Sequence, residues 1–190
     1  MTRIGQAVML LHGGDREEAR NRFGLLWAEL GEAGDAFHRC ALAHYMADTQ
    51  DDPGDELAWD LRALTAADGL REESAVDGRA AGDAVVDDRA ADDRAAGDGV
   101  AGDGVAGDGV ADDRLVEARA GVPGTSSVVR AFYPSLHLNL AADYVKLQLP
   151  EAARLHLDRA REAADALGEK GDVNGVGAGI DRLERLLRER

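Results

Sequence analysis

The side chains best suited to chemistry are five histidines (His12, His38, His44, His137 and His156), a single cysteine, Cys40, and an abundance of carboxylates. A helical chelate wants its ligands four apart on one face. His38 and His44 are six apart, and His137 and Asn139 two apart, so neither pair converges. The histidines are therefore expected as capping, interface or solvent-facing groups, and no metal or other cofactor is expected. Cys40 lies beside Ala41 and reads as a small hydrophobe, because a nucleophilic thiol wants exposure and a partner histidine. One cysteine leaves no intramolecular disulfide and no thiolate-rich metal site. Adjacent carboxylates such as Glu17-Glu18 and Asp87-Asp88 suit solvated helix ends and loops. The run GDGVAGDGV lacks the preceding strand and the lysine of a phosphate-binding loop. An enzyme is the least favoured class.

The elements that must position these groups are helical. The 190 residues are rich in Ala, Leu, Asp, Arg and Glu, with only 4% aromatics, which suits helices packed through small residues and not a β-sandwich. A net charge of −15 disfavours nucleic acid, whose phosphates need clustered Lys and Arg. No apolar run approaches the roughly 20 residues of a membrane-spanning helix. The short apolar stretch at Val8–Leu11 lacks a cleavage site and leads into an amphipathic pattern, so it is expected as a helix of a cytoplasmic domain.

Two periodicities organise the chain. Residues 77–116 fall into eight pentads in unbroken register, from DGRAA to DDRLV, carrying eleven Asp against four Arg. Low hydrophobicity with excess charge predicts disorder there. A calcium loop would need a closing Glu or a nine-residue repeat, and a pentapeptide β-helix a bulky apolar residue at each pentad centre; both are lacking.

The second periodicity is longer. Ala141 is followed twelve residues later by Ala153, then by Leu157 and Ala160; Ala7 is followed at the same spacing by Ala19, then by Phe23 and Leu26. These sets predict antiparallel helix pairs in close contact at the alanines, with turns at Gly13-Gly14-Asp15 and Gln148-Leu149-Pro150. Ala41, 34 residues after Ala7, begins a middle pair with Phe37 and Cys40 beside it. There the Asp-rich turn of residues 50–55 delays the second helix, and Ala58, Arg62 and Thr65 take the corresponding places. Ile180, Leu183, Leu186 and Leu187 predict an amphipathic capping helix, its first turn weakened by the glycines of residues 175–179.

This pattern resembles the tetratricopeptide repeat family over residues 1–33 and 134–167, and less closely over 34–70. The stretches His44–Asp48, Asp51–Pro53, Trp59–Leu64 and Tyr133–Ala141 are similar to repeat proteins of high-GC bacteria, a resemblance that brings no activity with it. It implies an all-α fold: a short right-handed solenoid of antiparallel helix pairs with a low-complexity insert. The expected organisation is two repeats over 1–70, the acidic insert and linker over 71–133, and a third repeat with its cap over 134–190.

The resemblance also implies a concave face, built by the first helices, that binds a protein or peptide. In that register its lining is Ile4, Val8, Leu11 and His12; His38, Arg39, Leu42, Tyr45 and Met46; and Leu138, Asn139, Ala142, Val145 and Lys146. Asn139 occupies the place of an asparagine that clamps a peptide carboxylate in some family members, but the accompanying Lys and second Asn are missing here, so that specificity is not carried over. The alternative for the same residues is packing against a neighbouring repeat or a second copy of the chain. The expected function is an interaction scaffold; a ligand-responsive regulatory module is the alternative. Trp27 and Trp59, on second helices, are expected mainly as core anchors.

Overall fold

A computed structural model describes residues 2–82, 125–168 and 175–189, with side chains over 2–72, 131–168 and 175–189. Among these residues there are seven helices and no strand: α1 (Arg3–His12), α2 (Arg16–Leu30), α3 (Ala36–Asp48), α4 (Pro53–Gly82), α5 (Thr125–Lys146), α6 (Pro150–Leu167) and α7 (Val176–Arg188). Each helix packs against its neighbours in the chain, and α7 also packs against α5. The connections after α1, α3 and α5 span only residues 13–15, 49–52 and 147–149, so the paired helices must run antiparallel. Disorder is expected from residue 77, but the first pentad, residues 77–81, and Gly82 form the last turns of α4; the pentads beyond Gly82 lie outside the described residues.

Local chemistry fixes the helix starts. Thr2 accepts from the Gly5 amide and Asp15 from that of Glu18, each satisfying an amide that the helix leaves unpaired. Asp35 caps α3 through the His38 amide at 3.0 Å. Pro150 opens α6, where its missing N–H costs nothing. Gly14, at φ +88°, makes the reversal before α2 that a side chain would resist.

The alanines twelve apart are where the paired helices meet: Ala7, Ala19, Ala141 and Ala153 are all fully buried. One apolar core runs through α1–α4 and takes in Tyr133 and Leu136 of α5. A second joins Ala141 and Val145 to Ala153, Leu157 and Ala160 of α6 and to Val176, Ile180 and Leu187 of α7.

Three expectations are corrected. The Asp-rich turn does not delay the fourth helix: Asp52 caps it, its Oδ1 accepting from the amides of Gly54 (2.8 Å) and Asp55 (3.1 Å), and Pro53 is its first residue. Its buried face is therefore Asp60, Ala63, Ala67 and Leu70, while Arg62 and Thr65 are exposed. Neither the boundary at 70 nor the one at 134 ends a helix. α4 continues to Gly82, and α5 begins at Thr125, passing through the fully buried Pro134. Proline removes one backbone bond, and the packing of Tyr133 and Leu136 on the first core offsets it. The glycines at the start of α7 also have positive roles. Gly175 caps the helix at φ +67°, and Gly179 lies so close to Leu138 of α5 that a Cβ there would come within 2.6 Å of its Cδ2.

Candidate functional site

A cleft of about 670 Å³, bounded wholly by described residues, opens between α4 and α6 with α5 as its floor. Leu64, Asp68 and Arg71 form one wall; Arg159, Glu162, Ala163, Ala166 and Leu167 form the other; Tyr133 and His137 rise from the floor. Each wall thus carries one arginine and one carboxylate three residues apart, one helical turn. Among the described residues, no ion pair joins the two walls.

The floor is neutral and tied to the wall helices. Tyr133 donates its phenol to Asp68 Oδ1 at 2.7 Å, and Arg71 stands 5.6 Å from its ring centre. Burial, then the hydrogen bond to Asp68, pushes the phenol above its ordinary range, so it stays protonated. His137 meets His156 of α6 with their Nδ1 atoms 3.1 Å apart. Burial lowers both imidazoles, and His137 falls to about 4 with the further help of His156 and Arg159. At neutral pH one ring donates its Nδ1–H to the lone pair of the other. Two imidazoles supply half of the four ligands of a structural zinc site, and among the described residues no group of three His, Cys, Asp or Glu is arranged for a metal. The pairing joins residues 19 apart on two helices. Helical spacing within one helix carries no sign of it; only the antiparallel docking of α5 on α6 brings them together.

The residues expected along the concave face do not line one open groove. Leu42, Tyr45, Met46 and Val145 are buried at 2%, 0%, 8% and 7% exposure and are corrected to core. Tyr45 stacks on Phe23 at 5.4 Å with ring planes 6° apart. Arg39 is corrected too: it donates to the Gly31 carbonyl and lies 4.7 Å over Trp27 of a second helix. His38 is tied to its cap, Asp35, at 2.8 Å. Leu138 is covered by Gly179 of α7. Ala142 is half-buried, and His12 is exposed at the end of α1. Trp27 meets Trp59 edge to face at 5.1 Å, and Arg62 lies 4.5 Å over the latter, so each tryptophan is covered by a guanidinium.

Asn139 and Lys146 do come together with other groups, at a polar joint. Asn139 Nδ2 lies 3.3 Å from His44 Nδ1. Lys146 donates to Glu56 at 2.6 Å and to Asp143 Oδ1 at 3.2 Å. His44 Nδ1 is 3.7 Å from Asp60 Oδ1. Asp60 and Asp143 are 2% and 0% exposed, and their carboxyl groups face each other closely enough to hydrogen bond through a proton. No family model matches the chain, and neither the curated proteins nor the solved structures searched gave a match.

Proposed function

We propose that this chain is a non-catalytic interaction scaffold, a short right-handed solenoid of the tetratricopeptide type acting in the cytoplasm, which takes a segment of a partner protein into the cleft between α4, α5 and α6. The observation that carries this reading is the cleft itself. Two consecutive helix pairs contribute its walls and floor, and both walls present unbridged arginines and carboxylates beside the apolar Leu64, Ala163 and Leu167. Walls of mixed charge suit a helical or extended segment bearing both signs, and such surfaces steer encounter and set register. The repeat architecture is supported by short antiparallel pairs stacked in chain order and by buried alanines at matching places in the first and last pairs. The site therefore moves from the concave face, whose apolar residues are spent in the core, to the side of the second helices.

A photo-crosslinking residue placed at Arg159 and, separately, at the exposed Leu25 of α2 tests this. The expected result is one protein captured from the native extract at 159 and not at 25, with affinity falling at least tenfold in Ala166→Trp, which fills the cleft from an exposed position. Equal capture at both positions, or no effect of the tryptophan, sinks the reading.

The volume lies within the roughly 300–1,000 Å³ of small-molecule sites, which favours a second reading, a ligand-responsive module. A thermal shift with a small molecule, absent in Ala166→Trp, distinguishes it.

A further inference from the structure

The second helices of the three pairs can be aligned by their first residues, Arg16, Pro53 and Pro150. The fourth and eighth places are Ala19 and Phe23 in α2, and Ala153 and Leu157 in α6, all buried and apolar. In α4 the same places are Glu56 and Asp60. The partner position departs likewise. Tyr45 and Asp143 each stand three residues before the end of their helix; Tyr45 stacks on Phe23, and Asp143 faces Asp60. A carboxyl pair thus occupies the place of an aromatic stack.

Two ionised carboxylates cannot sit together there without water. Asp143 Oδ1 accepts from Lys146, but Asp143 Oδ2 and Asp60 Oδ1 have no hydrogen-bond donor. One added proton cures this, because it turns one carboxylate oxygen into a donor for the other group. The surroundings do not supply enough positive charge to replace it. The charges acting on Asp143 are Asp60, Glu56 and Lys146; α3 contributes His44, 3.7 Å from Asp60, and the buried thiol of Cys40. Lys146 divides its ammonium between Glu56 and Asp143.

We propose that Asp60 and Asp143 hold one proton between them and that this proton latches α4 to α5, the joint loosening when the proton leaves to solvent. Burial first, and the facing Asp60 carboxylate next, raises Asp143 to about 8, consistent with a latch closed at neutral pH. The folded chain then keeps a proton that the unfolded chain releases near pH 4. Stability from the pair is therefore full below pH 4 and falls as pH rises through 8, by up to about tenfold in the folding equilibrium per pH unit. His137 and His156, lowered in the folded chain, act oppositely and only below about pH 7, and the Cys40 thiol, raised by burial to about 11, adds a fall of its own only as the unfolded thiol ionises above about pH 8, so the window from pH 7 to 8 isolates the carboxyl pair.

Denaturant unfolding of the full chain across that window, for the wild type, Asp60→Asn and Asp143→Asn, is the test, together with carbon-13 NMR titration of the wild-type aspartate carboxyls. The expected outcome is a wild-type stability that declines from pH 7 to 8, a flat profile in both variants over the same interval, and one carboxyl resonance titrating near pH 8. A wild-type slope retained in either variant overturns the proposal. Should an Asn variant fail to fold, the titration decides alone: every aspartate ionised by pH 6 equally overturns it.

Discussion

The joint between α2 and α3 and the joint between α4 and α5 use corresponding helix positions and opposite chemistry. At the first, Phe23 and Tyr45 stack in the dry interior, and Arg20, the residue after Ala19, donates through Nε to the Thr49 carbonyl at the end of α3 at 2.8 Å. The α6–α7 joint repeats the second feature, with Arg154, the residue after Ala153, donating to the Leu187 carbonyl at 3.3 Å. At the α4–α5 joint the arginine position is Leu57, and the cation is on the other partner: Lys146, in the last turn of α5, reaches back to Glu56 of α4. A cation at a helix C-terminus is favourable in both arrangements. Backbone geometry therefore does not dictate what fills a helix joint. An apolar filling gives a contact indifferent to pH, and a carboxyl pair gives one that responds to it.

The comparison can be broken at either end. The largest effect is expected from Phe23→Ala, which removes a fully buried ring and its stack on Tyr45 and should cost about 3–5 kcal/mol in urea unfolding at any pH. A loss below about 1 kcal/mol would mean that the first joint does not rely on its apolar filling. Next comes conversion of the second joint to the chemistry of the first. Asp60→Val with Asp143→Val should leave the chain as stable or stabilise it by up to about 4 kcal/mol at pH 8, since apolar residues of similar volume often match or better buried charged groups; destabilisation at that pH counts against the equivalence of the two joints. The smallest effect is expected from Arg20→Ala, about 1 kcal/mol, because its bond to Thr49 is charge-assisted but the side chain is one-third exposed. Chemical denaturation at pH 7 measures it, and no change would assign the α3 end to packing alone.

Much of the helical framework was legible because small residues leave a periodic trace. Ala7 with Ala19, and Ala141 with Ala153, marked two interhelical contacts directly, and Asp15 and Pro150 marked the helix starts. The middle pair was misread for a specific reason. With Glu56 and Asp60 in the places of Ala and Phe, the apolar period is interrupted, and an alignment that follows hydrophobicity slides to Ala58 and Arg62. Counting from the cap, Asp52-Pro53, would have recovered it. The site was less legible. A resemblance-derived register assigned Leu42, Tyr45 and Met46 to an open face, whereas their size and apolarity fitted the core equally well. The cleft and the His137–His156 contact depend on how α5 and α6 dock, information that no local spacing contains.

The edge-to-face contact of Trp27 with Trp59 bears on how this molecule can be watched. They are the chain's only tryptophans, one on α2 and one on α4, each beneath a guanidinium. Intrinsic fluorescence excited at the red edge of the indole band therefore follows the alignment of the first two hairpins directly, and α6 and α7 carry no tryptophan of their own. A transition seen by circular dichroism but silent in that emission reports the unfastening of the C-terminal helices by themselves.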